Sequence, residues 1–320
     1  MYNKLINEVP LVSINCLVYN HEPYLRDCFE GFVIQKTDFP FEILVHDDAS
    51  TDKSALIISE YTEKYPSLFL PIYQKENQYS KGVKVSDTFQ YPRAKGKYIA
   101  LCEGDDYWTD PMKLQKQVDF LEANPEYGLV YSKVKVYKEC LNDISSELGS
   151  EVRSLNELIC SNRIPTLSTC FKKDLLISYI NGRNNYKDVW LVRDYPMWIY
   201  FFANSKIHFF NEYFGVYREL INSASHSTDI NKNILFIDTI LDIQLYFIDK
   251  YSIHQCLEKV NSQYFATICN AMLRRNYINN IILKNKYKGL KKRGFIIYII
   301  KILMGFCIGR KMLKLYWKIG

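Results

Sequence analysis

The 320-residue sequence predicts an α/β fold in which a mostly parallel sheet is flanked by helices and followed by a helical extension. Short apolar runs alternate with helix-type segments over the first hundred residues, the order expected of parallel strands joined by helices. The apolar runs are continuous, as in strands buried on both faces. From residue 231 to residue 283 the apolar residues recur at helical spacing. A hydrophobic content of 48% and a charged content of 24% are ordinary for a globular protein.

The first four strands are predicted at residues 11–18, 41–45, 69–73 and 98–102. Three of them run into polar or acidic residues, namely Tyr19-Asn20, Asp47-Asp48 and Glu103-Gly104-Asp105-Asp106. In open parallel sheets, ligands bind outside the carboxyl ends of the strands. These three strand ends therefore predict a binding site along one edge of the sheet.

Beyond Trp108 the pattern predicts helices at 111–121 and 194–203, strands at 128–137 and 166–171, and an extended segment or strand pair at 207–218. Residues 138–163 are polar and are expected to form a loop with a short helix. We expect a main domain over residues 1–228, in halves 1–108 and 109–228. A helical extension at 229–283 and a tail at 284–320 follow.

The tail differs sharply in charge from the rest of the chain. Residues 284–320 contain 11 Lys or Arg and no acidic residue, leaving 30 of the 41 basic residues against 35 acidic ones in residues 1–283. A localised contact with an anionic partner is indicated, and general binding to polyanions such as nucleic acid is not. An apolar run at 295–308, interrupted by Lys301, is too short to span a membrane comfortably.

An amphipathic helix lying on an anionic membrane surface fits this tail best, and a terminal helix packed on the body is the alternative. The nine cysteines show no Cys-x-x-Cys pair and are expected to be free thiols of a reducing compartment. No long apolar stretch precedes Leu11, which predicts no signal peptide and a cytoplasmic location by default.

The segment Glu103-Gly104-Asp105-Asp106 is the first candidate for chemistry. Carboxylates are the ligands that Mn²⁺ and Mg²⁺ prefer, usually one or two together with phosphate and water. Gly104 permits a tight turn and a close approach of phosphates. An acidic surface turn would have the same composition, but the position after a buried strand favours a metal–phosphate site.

Three other groups of residues have two interpretations each. Asp47 and Asp48 suit a nucleobase or ribose, but they also suit a helix start. Asp194 begins a predicted helix, so it is either a helix cap or a catalytic base at the helix N-terminus, with Asp188 as a weaker candidate base. His226 is either a third contact for a metal or diphosphate, or a solvated loop residue.

Four segments resemble glycosyltransferase family 2, whose inverting enzymes have the Rossmann-like GT-A fold. They occur in the family's order over about 110 residues: Val12-Ser13-Ile14 with Tyr19-Asn20; Glu42 through Asp52; Lys95 through Trp108; and Asp110-Pro111 with Lys113-Leu114. The resemblance extends more weakly to Asp194 and Tyr217-Arg218 and ends near residue 228. The sequence Glu-Gly-Asp-Asp-Tyr-Trp is similar to that of bacterial enzymes that build capsule, exopolysaccharide or O-antigen chains.

The resemblance implies a role for each candidate residue. Asp105 would be the main ligand of Mn²⁺ or Mg²⁺, with Glu103 and Asp106 supporting the metal or ribose. Asp48, with Asp47, would contact the base of a UDP-sugar, and Asp194 would be the catalytic base. We also assign Tyr19, Asn20 and Trp108 to the nucleotide-sugar site. The family motif commonly begins with Asp where this chain has Glu103, and Leu220 replaces a frequent His, a position that His226 is a candidate to fill.

The expected reaction is an inverting transfer of a sugar to a lipid-linked or oligosaccharide acceptor, such as a polyprenyl-diphosphate-linked saccharide at the inner face of the membrane. The half 1–108 would bind the nucleotide and the half 109–228 the acceptor. A nucleotidyltransferase is a rival, but residues 17–23 lack the Gly-rich, basic loop that binds a triphosphate. A second rival is a non-catalytic carbohydrate- or lipid-binding protein that retains the fold.

Overall fold

A computed structural model of the chain describes residues 9–183, 190–220 and 229–274. The described residues form two compact units. The first contains residues 9–183 and 193–220, and the second contains residues 190–192 and 229–274. His226, Asp188 and the tail at 284–320, for which predictions were made above, lie outside the described residues.

A nine-stranded sheet forms the centre of the first unit, with strand order β3-β2-β1-β4-β8-β6-β9-β5, and β7 pairs with β6. The strands are β1 Val12–Val18, β2 Phe41–Asp47, β3 Phe69–Tyr73, β4 Tyr98–Leu101, β5 Tyr107–Trp108, β6 Tyr127–Lys138, β7 Asp143–Leu148, β8 Cys170–Lys172 and β9 Lys206–Glu219. The long strands β1 to β4, β6 and β9 share one direction, while β5, β7 and β8 run against their neighbours. The predicted mostly parallel sheet is therefore confirmed.

Helices of the first unit are α1 Leu25–Val33, α2 Ser54–Lys64, α3 Lys113–Ala123, α4 Leu155–Cys160, α5 Lys173–Gly182 and α6 Asp194–Asn204. The second unit contains α7 Ile230–Lys250 and α8 Leu257–Arg274. Ser252, with a φ of 54°, lies in the break between α7 and α8. The predicted helical extension is thus a pair of helices over its described part. In the described ranges, none of the helices is long and apolar enough to cross a membrane.

Two segments differ from the prediction. The strand expected at 166–171 is a 3₁₀ turn, Thr166–Ser168, followed by the short strand β8. Hydroxyl groups cause the turn, because Ser168 Oγ donates to the Pro165 carbonyl at 2.8 Å and Thr169 Oγ1 donates to the Thr166 carbonyl at 2.8 Å. The polar stretch 138–163 forms the exposed strand β7 and the helix α4, where only a loop with a short helix was expected.

The core lies between the sheet and the helices that cover it, and it includes Cys28, Phe29 and Phe32 of α1. Helix α1 passes close to β5 at Gly31. A Cβ on Gly31 would lie 2.7 Å from the Trp108 carbonyl oxygen and 2.8 Å from the Trp108 nitrogen, so a larger side chain would push the two elements apart. This contact fixes the strand that follows the acidic segment.

Candidate active site

The ends of β1, β2 and β4 meet at one edge of the sheet, as the sequence predicts. Val18 pairs with Asp47 across β1 and β2, and Asn15 pairs with Leu101 across β1 and β4. Beyond these pairs, the Gly104 amide donates to the Leu17 carbonyl at 2.9 Å. The acidic segment 103–106 therefore lies beside the loop that follows β1.

The loops after β1 and β2 are tied together by reciprocal hydrogen bonds. Asn20, in the left-handed region with a φ of 55°, accepts the Thr51 amide on Oδ1 at 2.8 Å, and its own amide donates to Ser50 Oγ at 2.9 Å. The Glu22 amide donates to Asp52 Oδ2 at 2.9 Å. Asn20, predicted as a ligand contact, thus uses its side chain to fix these loops. Tyr19, which precedes it, is 44% exposed and open to a ligand.

Asp47 and Asp48 are both buried, and their carboxylates fix the surrounding backbone. Asp47 Oδ1 accepts the Ser50 amide at 3.2 Å. Asp48 accepts the amides of Gln78 and Tyr79, at 2.8 Å and 3.0 Å, on its two oxygens. Because each carboxylate oxygen has a further lone pair, these bonds are compatible with a nucleotide contact and also order the loop at 78–79.

Glu103 is exposed to solvent, yet the pKa of its carboxyl is raised to about 8. The largest cause is desolvation by the surrounding protein, which disfavours the charged carboxylate. The negative charges of Asp105 and Asp194 raise the pKa further. Gly104 packs closely against β1 and the loop after it, because a Cβ there would lie 2.8 Å from His21 Nδ1 and 3.0 Å from Val18 Cγ2.

Asp105 has a carboxylate oxygen with unused bonding capacity. Its Oδ1 atom is buried and has no hydrogen-bond partner, and its Oδ2 atom lies 4.0 Å from His21 Nε2. Burial lowers the pKa of His21, although the charges of Asp105, Asp52 and Asp47 oppose this. His21 was not assigned a role from the sequence. Its place beside Asp105 comes from the pairing of β1 with β4, which the local sequence does not reveal.

Asp106 is buried and is held by Arg218 from β9. The Arg218 amide donates to Asp106 Oδ1 at 2.8 Å, and Nη1 of Arg218 donates to the Asp105 carbonyl at 2.8 Å. Nη2 of Arg218 pairs with Asp27 Oδ2. Burial is the largest cause that raises the pKa of Asp106 well above its ordinary value, followed by the charge of Asp105. Arg218 is the residue that supports the acidic segment most directly.

Trp108, assigned above to the nucleotide-sugar site, has its side chain in the core. It is 2% exposed, and its Nε1 donates to the Leu167 carbonyl at 2.7 Å. Its ring packs edge-on against Phe32, with centroids 4.8 Å apart, and Lys113 Nζ lies 3.9 Å from the ring centroid. In this arrangement the indole supports the turn at 166–168 and is not exposed to a ligand.

Asp194 is the first residue of α6. Its Oδ1 accepts the Tyr195 amide at 2.7 Å, and its Oδ2 accepts the hydroxyl of Thr166. Asp194 is close enough to Glu103 for its charge to raise the pKa of that residue. The structure therefore brings Asp194 near the acidic segment, where a helix cap and a catalytic base are both compatible with its position.

Within the described ranges, no three His, Cys, Asp or Glu side chains are grouped as a metal-binding set. The residues nevertheless fit a Mn²⁺ or Mg²⁺ ion that also binds a ligand's phosphates, because such ions commonly take only one or two carboxylates from the protein. The unpartnered Oδ1 of Asp105 is the atom that supports this fit.

An α/β sheet with an acidic segment after the fourth strand and an aspartate at a nearby helix start defines the GT-A class of fold. A family model described as Glycosyl transferase family 2 matches residues 13–185, which is more than half of the chain. The chain belongs to glycosyltransferase family 2, and the resemblance stated from the sequence is confirmed.

Among its relatives, an uncharacterized protein of Mycobacterium tuberculosis is 41% identical over 165 residues, which are 51% of this chain and 47% of that protein. The poly(ribitol-phosphate) beta-glucosyltransferase of Bacillus spizizenii is 35% identical over 152 residues, covering 38% of this chain and 23% of that enzyme. The chain spans about half the length, or less, of the curated relatives that it matches most strongly.

Solved structures extend the likeness over most of the chain. TarS of S. aureus in complex with UDP-GlcNAc has a TM-score of 0.55 and 16% identity, covering 90% of this chain and 78% of that chain. A mannosyltransferase of Pyrobaculum calidifontis in complex with GDP-Man and Mn²⁺ has a TM-score of 0.57 and 14% identity, covering 97% and 85%. At these identities the likeness establishes the fold alone, and it confirms the predicted GT-A fold.

Proposed function

We propose that the protein transfers a sugar, with inversion, from a UDP-sugar to a lipid-linked or oligosaccharide acceptor in bacterial surface-polysaccharide synthesis. The observation that carries the proposal is the buried, unpartnered oxygen of Asp105 in an acidic segment where Asp194 is close enough to Glu103 to raise its pKa. The family supports sugar transfer, and the UDP-GlcNAc complex of TarS and the poly(ribitol-phosphate) substrate named for the Bacillus relative support the donor and polymer classes.

Asp105 would hold a divalent cation, Mn²⁺ or Mg²⁺, with Glu103 and Asp106 in support. The cation would supply positive charge to the leaving diphosphate. Tyr19, Asp47 and Asp48 lie at the neighbouring strand ends, where a nucleoside would bind. The Mn²⁺ complex of the Pyrobaculum mannosyltransferase supports the metal, and its GDP-Man makes GDP-sugars the donors to compare with UDP-sugars.

Asp194 would remove the proton from the acceptor hydroxyl as that oxygen attacks the sugar. Its carboxylate keeps lone pairs beyond those used by Tyr195 and Thr166, so it can accept that proton while its orientation stays fixed. Asp188 and His226 stay predictions, as does membrane attachment through residues 284–320.

A donor panel tests the proposal. The protein is incubated with UDP-Glc, UDP-Gal, UDP-GlcNAc or GDP-Man, with Mn²⁺ or with EDTA, and nucleotide release is measured. We expect metal-dependent release from a UDP-sugar that Asp105→Asn and Asp194→Asn each reduce to a low residual rate, while Asp194→Asn leaves UDP binding intact. Unchanged turnover in Asp105→Asn would exclude the metal role. Loss of both turnover and UDP binding in Asp194→Asn would indicate a structural role for Asp194.

A further inference from the structure

We infer that Thr166 is a positioning residue for Asp194, and that Trp108 fixes the turn Thr166–Ser168 to the donor-phosphate segment 103–106. The inference rests on the proposed role of Asp194 as the catalytic base. It gives Trp108 a function in the placement of that base, in place of a contact with the donor.

The Asp194 carboxylate is held at both oxygens. The Tyr195 amide donates to Oδ1 at 2.7 Å, and the Thr166 hydroxyl donates to Oδ2. The first bond comes from the adjacent residue and leaves the carboxylate free to rotate about it. The second comes from 28 positions away and fixes the plane of the carboxylate. A base must be oriented toward the hydroxyl that it deprotonates, so this second bond matters for catalysis.

Side chains from other elements donate hydrogen bonds to two successive carbonyls of the turn that carries Thr166. Trp108 Nε1 donates to the Leu167 carbonyl at 2.7 Å, and Gln117 Nε2 donates to the Ser168 carbonyl at 2.7 Å. Gln117 is itself held by Lys113 Nζ at 2.7 Å, and the same ammonium group lies over the Trp108 ring. All of these donors are buried, so their bonds are shielded from water.

The turn is also closed by its own side chains. Ser168 Oγ donates to the Pro165 carbonyl at 2.8 Å and accepts the Ser132 amide at 3.1 Å, and Thr169 Oγ1 donates to the Thr166 carbonyl at 2.8 Å. A rigid support of this kind allows one hydroxyl to set the orientation of a carboxylate. Since only Tyr107 separates Trp108 from the acidic segment, the donor phosphates and the base would be placed by one connected set of bonds.

Thr166→Val tests the first link, because valine has nearly the same shape and lacks the hydroxyl. Turnover is measured with the panel donor that gives the highest nucleotide release. We expect kcat to fall by about 10²-fold with the donor KM unchanged. Thr166→Ser should recover most of kcat because it restores the hydroxyl. Thr62→Val is the matched control, since it removes a hydroxyl bond to the Ile58 carbonyl within α2. A wild-type kcat in Thr166→Val would overturn the inference.

The double variant Thr166→Val/Asp194→Asn separates positioning from general destabilisation. If Thr166 acts through Asp194, the double variant is no slower than Asp194→Asn alone. An additional loss in the double variant would overturn the inference. If Asp194→Asn itself keeps full turnover, the proposed function fails, which is a different result from failure of Thr166→Val alone.

Trp108→Phe tests the second link by comparing UDP binding with turnover. Phenylalanine keeps the aromatic packing and removes the Nε1 donor to Leu167. We expect UDP binding with Mn²⁺, measured by titration calorimetry, to match the wild type, while kcat falls in the same direction as in Thr166→Val. Weakened UDP binding would show that the indole serves the donor site directly and would overturn this part of the inference.

Discussion

Arg218 connects the acidic segment to two other parts of the first unit. Its side chain is 7% exposed and bonds to the Asp105 carbonyl and the Asp27 carboxylate, while its amide bonds to Asp106. The guanidinium group also lies over the Tyr107 ring, 4.3 Å from its centroid. A planar group with several donors can make these contacts together, whereas the ammonium group of lysine cannot. Arg218 thus fixes the backbone from which the proposed metal ligand projects.

We therefore predict that Arg218→Lys weakens binding of Mn²⁺ in the presence of UDP. Groups that orient a metal ligand typically change affinity by about 10- to 100-fold when they are replaced, and we expect a loss in that range. Titration calorimetry with Mn²⁺ and UDP measures it. Arg26→Lys is the matched control, because Arg26 forms an exposed pair with Glu60 at 2.7 Å, away from the acidic segment. Equal binding in the two variants would contradict the role of Arg218.

At the scale of elements, helix α3 supports the site through a buried lysine. Lys113 is fully buried, and its Nζ contacts the Trp108 ring and donates to Gln117. Burial is the main cause that lowers the pKa of Lys113 from its ordinary value of 10.5 to about 8. Between pH 8 and pH 10.5 the folded protein binds fewer protons at this group than the unfolded chain. The contribution of Lys113 to stability therefore rises with pH in that window.

We predict that Lys113→Met removes this pH dependence. The free energy of unfolding is measured by urea denaturation at several pH values from 7 to 10 for both proteins. The stability of the wild type relative to the variant should rise with pH, and the pKa difference corresponds to about 3 kcal/mol over the full window. A stability difference that is constant from pH 7 to pH 10 would show that Lys113 does not titrate in this range.

The elements also show which features a sequence can predict. Continuous apolar runs identified the first four strands, and the acidic or polar residues after them identified the edge of the sheet, since both are local patterns. The bond from Thr166 to Asp194 was not predicted, and the side chains of His21 and Arg218 were not assigned to the site. Their contacts join residues that are 28 to 191 positions apart, and no local spacing records such contacts. The core position of Trp108 was missed for the same reason.

At the scale of the whole molecule, residues 1–283 and the tail at 284–320 carry opposite net charges, and this difference supports a prediction about membrane binding. Residues 1–283 are net acidic and residues 284–320 are strongly basic. An acceptor carried by a lipid would be presented at a membrane surface, where the negative headgroups attract basic segments. The tail would then keep the protein near its acceptor, while the described residues provide the proposed site.

We predict that the full chain floats with vesicles that contain anionic lipid and that a 1–283 truncation does not. A variant with Lys291, Lys292 and Arg293 all changed to Gln should float less, and raised salt should reduce flotation of the full chain. UDP binding by each protein checks that the first unit is folded. Equal flotation of the full chain and the truncation would remove the case for membrane attachment.

The bond between Arg218 and Asp27 has a consequence for the stage of translation at which the proposed donor site can be completed. The two residues are 191 positions apart, so the acidic segment leaves the ribosome long before the strand that secures it. A nascent chain that ends at residue 185, where the family match ends, contains Asp105 but neither Asp194 nor Arg218. On the proposed function, the ability to hold a donor in a productive geometry would therefore arise only after β9 has been translated and has joined the sheet.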